Sequence, residues 1–183
     1  MVLYRFEGKE PKIGEGTYVS RSAEVIGDVS IGKQCYIGPG AKIRGDYGTI
    51  LIGNKTSIEE NCVLHARPNE KCKIGNMVTV GHGSILHNCT VKDYAIIGMG
   101  AIVSDYAVVG VWSVVGEGCV VKNKQVIKDQ KIVVGIPAKI VSEVSKEYQK
   151  LWTSYKNLYA DLALKYLKTL EIVKRKRMQS NNR

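Results

Sequence analysis

Phenylalanine occurs once in these 183 residues and proline four times, whereas glycine occurs nineteen times. So little proline and so few bulky aromatics exclude a large aromatic core, a proline-rich linker and a collagen-like chain. No apolar run approaches the ~20 residues a membrane span needs. Met1-Val2-Leu3-Tyr4-Arg5-Phe6-Glu7 has no apolar signal-peptide core, so a cytoplasmic setting is the expectation. The five cysteines are an odd number with no Cys-x-x-Cys, which argues against a disulfide framework and for a reducing compartment. Charge is plentiful but uneven. The net +10 (27 basic minus 17 acidic residues) divides into +4 up to residue 141 and +6 beyond it, with ten Lys/Arg and four Asp/Glu in that second part. The body lacks the basic, aromatic-interleaved face that nucleic acid requires, so neither nucleic acid nor membrane is expected as a partner.

What the chain has is a period of six. Aliphatic residues recur at Ile13, Val19, Val25, Ile31, Ile37 and Ile43, resume at Ile52, Ile58 and Leu64, then at Ile74, Val80 and Leu86, and run from Val91 to Val121. Glycine often follows the aliphatic, and a small residue stands four after it, including Ala23, Cys35, Cys62, Ala95 and Cys119. Six is not a whole number of 3.6-residue helical turns. Hexads instead fit a parallel β-helix of triangular coils: three hexads close a coil, and coils stack at about 4.8 Å. The glycines are expected to relieve strain at the corners. Cys72 and Cys89 stand near breaks in the rhythm without the regular spacing of a metal cluster, and Tyr94, Tyr106 and Trp112 should face outward or into subunit contacts.

The repeat predicts a β-helix domain over residues 1–141. Beyond it, Val144, Tyr148, Leu151, Trp152, Tyr155, Leu158, Leu162, Tyr166, Leu170 and Val173 alternate three and four apart. That spacing predicts an amphipathic helix within 142–178, packed along the solenoid or a neighbouring subunit. Residues 179–183 read as a disordered tail.

The chain's three histidines, His65, His82 and His87, fall within 23 residues. Leu64 to Leu86 is three hexad steps, one full coil. His65 and His87, each following its leucine, should therefore stack at one corner, with Arg44 one coil below. Two imidazoles so spaced suit one metal. His82 lies on the preceding face and would reach that metal across an interface. The arrangement implies a homotrimer with three sites, each taking His65 and His87 from one subunit and His82 from its neighbour. Three imidazoles leave one position open for water, as in catalytic zinc sites, although iron or cobalt would also suit these ligands.

Arg44-Gly45-Asp46, Ile58-Glu59-Glu60-Asn61-Cys62-Val63-Leu64-His65 and Gly81-His82-Gly83-Ser84-Ile85-Leu86-His87 resemble the signature of the γ-class carbonic anhydrase-like hexapeptide-repeat family, over roughly residues 10–141. The segment Arg44-Gly45-Asp46-Tyr47-Gly48 is most similar to the CaiE/PaaY subgroup. The resemblance implies a left-handed β-helix and zinc on His65, His82 and His87. It further implies that Arg44 pairs with the acid at Glu60, that Asp46 joins the interfacial polar network, and that Glu59 stands where a glutamine commonly orients metal-bound solvent. Glu59 and Glu60 replace the family's usual Gln and Asp, and the short Ala66–Lys73 loop has no counterpart of the prototype's proton-shuttling acidic loop.

These features point to zinc-dependent, reversible hydration of CO2 to bicarbonate by a metal-bound hydroxide at a trimer interface, with Glu59, Glu60, Arg44 and Asp46 as catalytic residues. The alternative is an acyl-CoA substrate, handled by a hexapeptide-repeat acyltransferase or a thioesterase of the CaiE/PaaY type. A metal-bound scaffold without turnover is a further possibility.

Overall fold

In the computed structural model, which describes residues 2–173, the hexads wind into a parallel β-solenoid of about seven coils, closed by one C-terminal helix. Three faces follow from strand pairing. On the first, strands Val63–His65, Ile85–His87, Ile102–Val103 and Val120–Val121 stack in parallel. On the second, Lys71–Ile74, Thr90–Val91, Val108–Val109 and Val126–Ile127 do the same. Both faces meet at the long strand Lys42–Ile52, which turns the corner between them. The third face forms a separate sheet that includes Tyr36–Ile37, Ser57–Ile58, Thr79–Val80, Ile96–Ile97 and Val114–Val115.

The register matches the coil count. Leu86 pairs with Leu64, Ile43 with Leu64, and Val91 with Ile74, so each break in the rhythm is one step. The column Val25, Ile43, Leu64, Leu86, Val103 and Val121 is fully buried. Truncating one such leucine to alanine removes the order of 2–5 kcal/mol.

One reading of the small residues needs correction. The glycine after each aliphatic does not sit at the strained corner. Left-handed backbone falls two residues later, at Gln34 (φ 54°), Asn61 (59°), Tyr94 (61°) and Trp112 (57°) among others. Gly53 is required for close stacking instead: a Cβ there would lie 2.6 Å from the backbone of Gly75 in the next coil. Cys72 and Cys89, beside the breaks, keep the pattern. They stand two before Ile74 and Val91, in the inward small slot, with their sulfurs 4.0 Å apart in the core. All five cysteines are free and buried. Burial pushes the Cys62 thiol up to about 12, which suits packing rather than chemistry.

After an antiparallel return, Lys131–Val134 against Lys139–Glu143, Ser145 caps helix α1 (Lys146–Thr169) by accepting a hydrogen bond from the Tyr148 amide at 3.1 Å. The expected 142–178 helix is thus shorter at both ends: residues 142–143 are strand and Leu170 is extended. Residues 174–178 of the expected helix and the expected disordered tail at 179–183 lie outside the described residues. At about 1.5 Å per residue α1 is roughly 36 Å long, close to seven coils at about 4.8 Å, so it runs the length of the third face.

The side that α1 buries differs from the aliphatic spacing. Leu151, Leu158 and Leu170 are exposed. Tyr148 and Trp152 pack on Ile96 and Val114, while Tyr159, Leu162, Ala163 and Tyr166 pack on Tyr18 and Tyr36. Lys156, 2% exposed, lies between these two clusters. Among the described residues no helix is long and apolar enough to cross a membrane.

Candidate metal and acid–base site

Strands Val63–His65 and Ile85–His87 end on their histidines, and the ladder pairs His65 with His87 and Arg44 with His65. The two imidazoles lie one above the other, tilted by 52° with centroids 5.2 Å apart, and His65 Nδ1 lies 3.1 Å from His87 Nε2. Each remaining ring nitrogen faces a carboxylate. His65 Nε2 is 2.9 Å from Asp46 Oδ1, and His87 Nδ1 makes a short contact to Asp105 Oδ1. Arg44 binds Asp46 at 2.7 Å and Arg67 binds Asp105 at 2.8 Å. Burial pushes the Asp46 and Asp105 carboxyls up, but His65, the Tyr47 amide and Arg44 outweigh it for Asp46, and His87 and Arg67 for Asp105, so both sit below the usual carboxylate range.

This geometry fixes the tautomers. An ionised carboxylate can only accept, so His65 Nε2 and His87 Nδ1 each donate. In the neutral rings the lone pairs then sit on His65 Nδ1 and His87 Nε2, the two atoms that face one another. Such a pair needs a proton or a cation between them. Two nitrogens bound to one tetrahedral ion at about 2.0–2.1 Å are roughly 3.3 Å apart, and carboxylates behind ligand imidazoles are the usual second layer of a metal site. The donor set fits two of a metal's ligands.

His82 belongs to another corner. It follows the third-face strand Thr79–Val80, with Nε2 3.1 Å from Glu59 and Nδ1 2.5 Å from Glu60. Glu60 also accepts from the Tyr36 hydroxyl at 2.8 Å, and Tyr159 from α1 faces Glu59. Burial, reinforced by the adjacent acids, pushes the phenols of Tyr36 and Tyr159 up, so both remain donors. Burial also raises Glu59, which is 5% exposed, with Glu60 adding and His82 and Tyr159 opposing. Burial pushes Glu60 the same way, but its bonds to Tyr36 and His82 prevail and lower it.

The seven residues singled out by sequence thus form two groups in one chain: Arg44, Asp46, His65 and His87 in the first, Glu59, Glu60 and His82 in the second. The expected Arg44–Glu60 pair is absent from the salt bridges of the described residues. Arg44 sits in the column of His65 and takes Asp46, while Glu60 sits on the third-face corner and takes His82 and Tyr36. Among the described residues, one chain places no group of three or more His, Cys, Asp or Glu side chains where it could hold a metal ion.

Asp105, Arg67, Tyr36 and Tyr159 escape the sequence reading. The signal for Asp105 lies in the coil count: it is two residues beyond Val103, which stacks on Leu86 beside His87.

A family model described as bacterial transferase hexapeptide (six repeats) matches residues 10–45. The carnitine operon protein CaiE of Escherichia coli is 35% identical over 162 residues, covering 82% of this chain and 83% of that protein. CaiE of Citrobacter koseri is 38% identical over 168 residues, covering 90% and 84%. Among solved structures, a hexapeptide transferase family protein from Anaplasma phagocytophilum superposes with a TM-score of 0.86 at 33% identity, covering 90% of this chain and 98% of that one.

Proposed function

The chain belongs to the hexapeptide-repeat family that includes the carnitine operon proteins CaiE, and on that premise we propose that it is a metal-dependent enzyme acting on acyl-CoA thioesters. The observation that carries the metal part is the pair of imidazole lone pairs held face to face, 3.1 Å apart, by Asp46 and Asp105. The acyl part is supported by the transferase family to which residues 10–45 match.

A zinc ion, or iron or cobalt in its place, would supply Lewis acidity and an activated water near neutral pH. The chain's own residues do the rest. Asp46 and Asp105 fix both imidazole tautomers, and Arg44 and Arg67 keep those aspartates ionised. Glu59, buried and faced by Tyr159, would take a proton from an attacking water or acceptor and return it to the leaving thiol. Glu60 orients His82 through Nδ1.

His82 cannot join His65 and His87 on one chain, so the site is completed between chains of a homotrimer in this reading. The first face supports this. Its outward residues Val63, Ile85 and Ile102 pair in register beside the histidines and are 38%, 42% and 38% exposed, an aliphatic column that a second copy would cover.

Reversible CO2 hydration is the second reading, favoured by the same donor set. Purified protein assayed for metal content, for thiol release from a panel of CoA esters and for CO2 hydration separates the two. The expected result is about one metal per chain and thioester cleavage that disappears in His87→Ala. Rapid CO2 hydration with every thioester left intact would overturn the acyl reading in favour of the second.

A further inference from the structure

A groove of about 560 Å³ runs beside α1 along the third face. It falls within the roughly 300–1,000 Å³ typical of small-molecule sites. Its floor includes the column Gly81, Gly98 and Gly116, which stack so closely that a Cβ on Gly81 or Gly98 would lie within 3 Å of the next coil's backbone, leaving flat backbone as the lining there. Tyr148, Trp152, Tyr155 and Tyr159 of α1 form one wall, and aliphatic residues continue the lining to Ile132 and Val134 at the far end. The near end is polar: it closes on Glu59 and His82, which touch each other at 3.1 Å.

An apolar slot with an acid–imidazole pair at one end is suited to a ligand with one reactive polar end and a hydrocarbon tail. A three-atom substrate would use almost none of it. We infer that this groove binds the acyl tail of the substrate, with the thioester carbonyl at Glu59 and His82 and the tail running beneath Trp152 toward Val134. The inference rests on the acyl-CoA reading and adds to it a substrate class, the medium-chain aliphatic thioesters.

Length follows from the coil spacing. From the Thr79 coil through those of Ile96 and Val114 to that of Ile132 is three steps, or roughly 14 Å at about 4.8 Å each. An extended alkyl chain advances about 1.3 Å per carbon–carbon bond of 1.5 Å, so the groove accepts up to about ten carbons. Val134, 42% exposed, marks the end. The continuity of the groove with the Glu59–His82 corner favours this occupant over a second copy of the chain, which would not need a slot leading to a reactive pair.

The test uses S-alkyl-CoA thioethers, which cannot be cleaved, with tails from two to fourteen carbons, titrated into the full-length protein and followed by calorimetry and tryptophan fluorescence. Affinity is expected to rise roughly fourfold per methylene up to about ten carbons and then level off, with Trp152 fluorescence changing only for the longer tails. In Val134→Trp, a substitution at an exposed site, the levelling-off should move to shorter tails while binding of the two-carbon thioether stays unchanged. If all thioethers bind equally, the groove assignment fails and the acyl-CoA reading stands. If none binds, the two-carbon compound included, both fail. If Val134→Trp changes the assembly's mass and leaves the chain-length profile untouched, the groove is a contact between copies and the proposal is overturned.

Discussion

The first and third faces of the prism both present apolar side chains outward, and of these two only the third is covered within the chain. The third face offers Tyr18, Tyr36, Ile96 and Val114, all buried, because α1 lies along it. The first face offers Val63, Ile85 and Ile102 in similar register, and they stand exposed beside His65 and His87. A solenoid needs only its inward residues apolar, so outward aliphatics mark faces that something else must cover. On the third face the cover is a segment of the chain itself, and it also delivers Tyr159 to Glu59. On the first face, in the reading offered above, it is another chain delivering His82. The two corners therefore hold complementary halves of one chemistry: a pair of imidazoles with lone pairs to offer, and a single imidazole backed by two acids.

The sharpest way to break this comparison is to charge the bare face. Ile85→Lys should leave the solenoid folded, with an unchanged circular-dichroism spectrum, while light scattering reports monomers in place of trimers and bound metal is lost. A variant that stays trimeric would show that this face is free. Next in size is the histidine pair. His87→Ala should preserve the trimer and abolish tight metal binding, with thioester turnover falling at least about a hundredfold. Retention of metal in elemental analysis would contradict the ligand assignment. Asp105→Asn should act more mildly. It removes the carboxylate that fixes the His87 tautomer, and metal affinity measured by competition with a chelator should fall about 10–100-fold.

The smallest effect concerns the covered face. Lys156 Nζ donates to Thr79 Oγ1 at 3.1 Å and to the Ala95 carbonyl at 3.2 Å, and burial lowers its pKa from 10.5 to about 7, with Glu59 opposing. Between those values the unfolded chain holds a proton that the folded chain has released, so stability should climb with pH from about 7 to 10.5. Below about 7 both forms are charged and the burial penalty is fully present. Lys156→Met should raise stability by about 1–3 kcal/mol in urea unfolding below that pH, with the gain shrinking toward pH 10. A loss of stability at every pH would show that the two hydrogen bonds outweigh desolvation.

The fold was legible in the sequence because a hexad admits few other architectures, and because counting three steps per coil puts His65 over Arg44 and His87 over His65 without any side-chain geometry. The two halves of the site were legible to the same extent as the coil count. Asp105 was not, since two residues past a core valine is an ordinary corner position until one knows which way that corner turns. Lys156 was hidden for a different reason. With Ala160 and Ala163 it forms the buried line of α1, next to the half-buried Trp152, yet an apolar-spacing search skips lysine and alanine and selects Leu151 and Leu158, which face outward. The left-handed corners carried no signal in residue type either, because Gln34, Lys55, Tyr94 and Trp112 share a conformation that glycine fills elsewhere.

The claim on which the account turns is that imidazoles from two chains meet at one metal. It is tested most directly by unfolding His65→Ala and His82→Ala chains together, refolding the mixture and measuring bound metal. Each variant alone should hold almost none. The mixture should recover about a quarter of the sites, the value for random assortment of two chain types around a closed ring. Recovery of no metal in trimers captured through an affinity tag on one variant and shown by peptide mapping to contain both chains would contradict it.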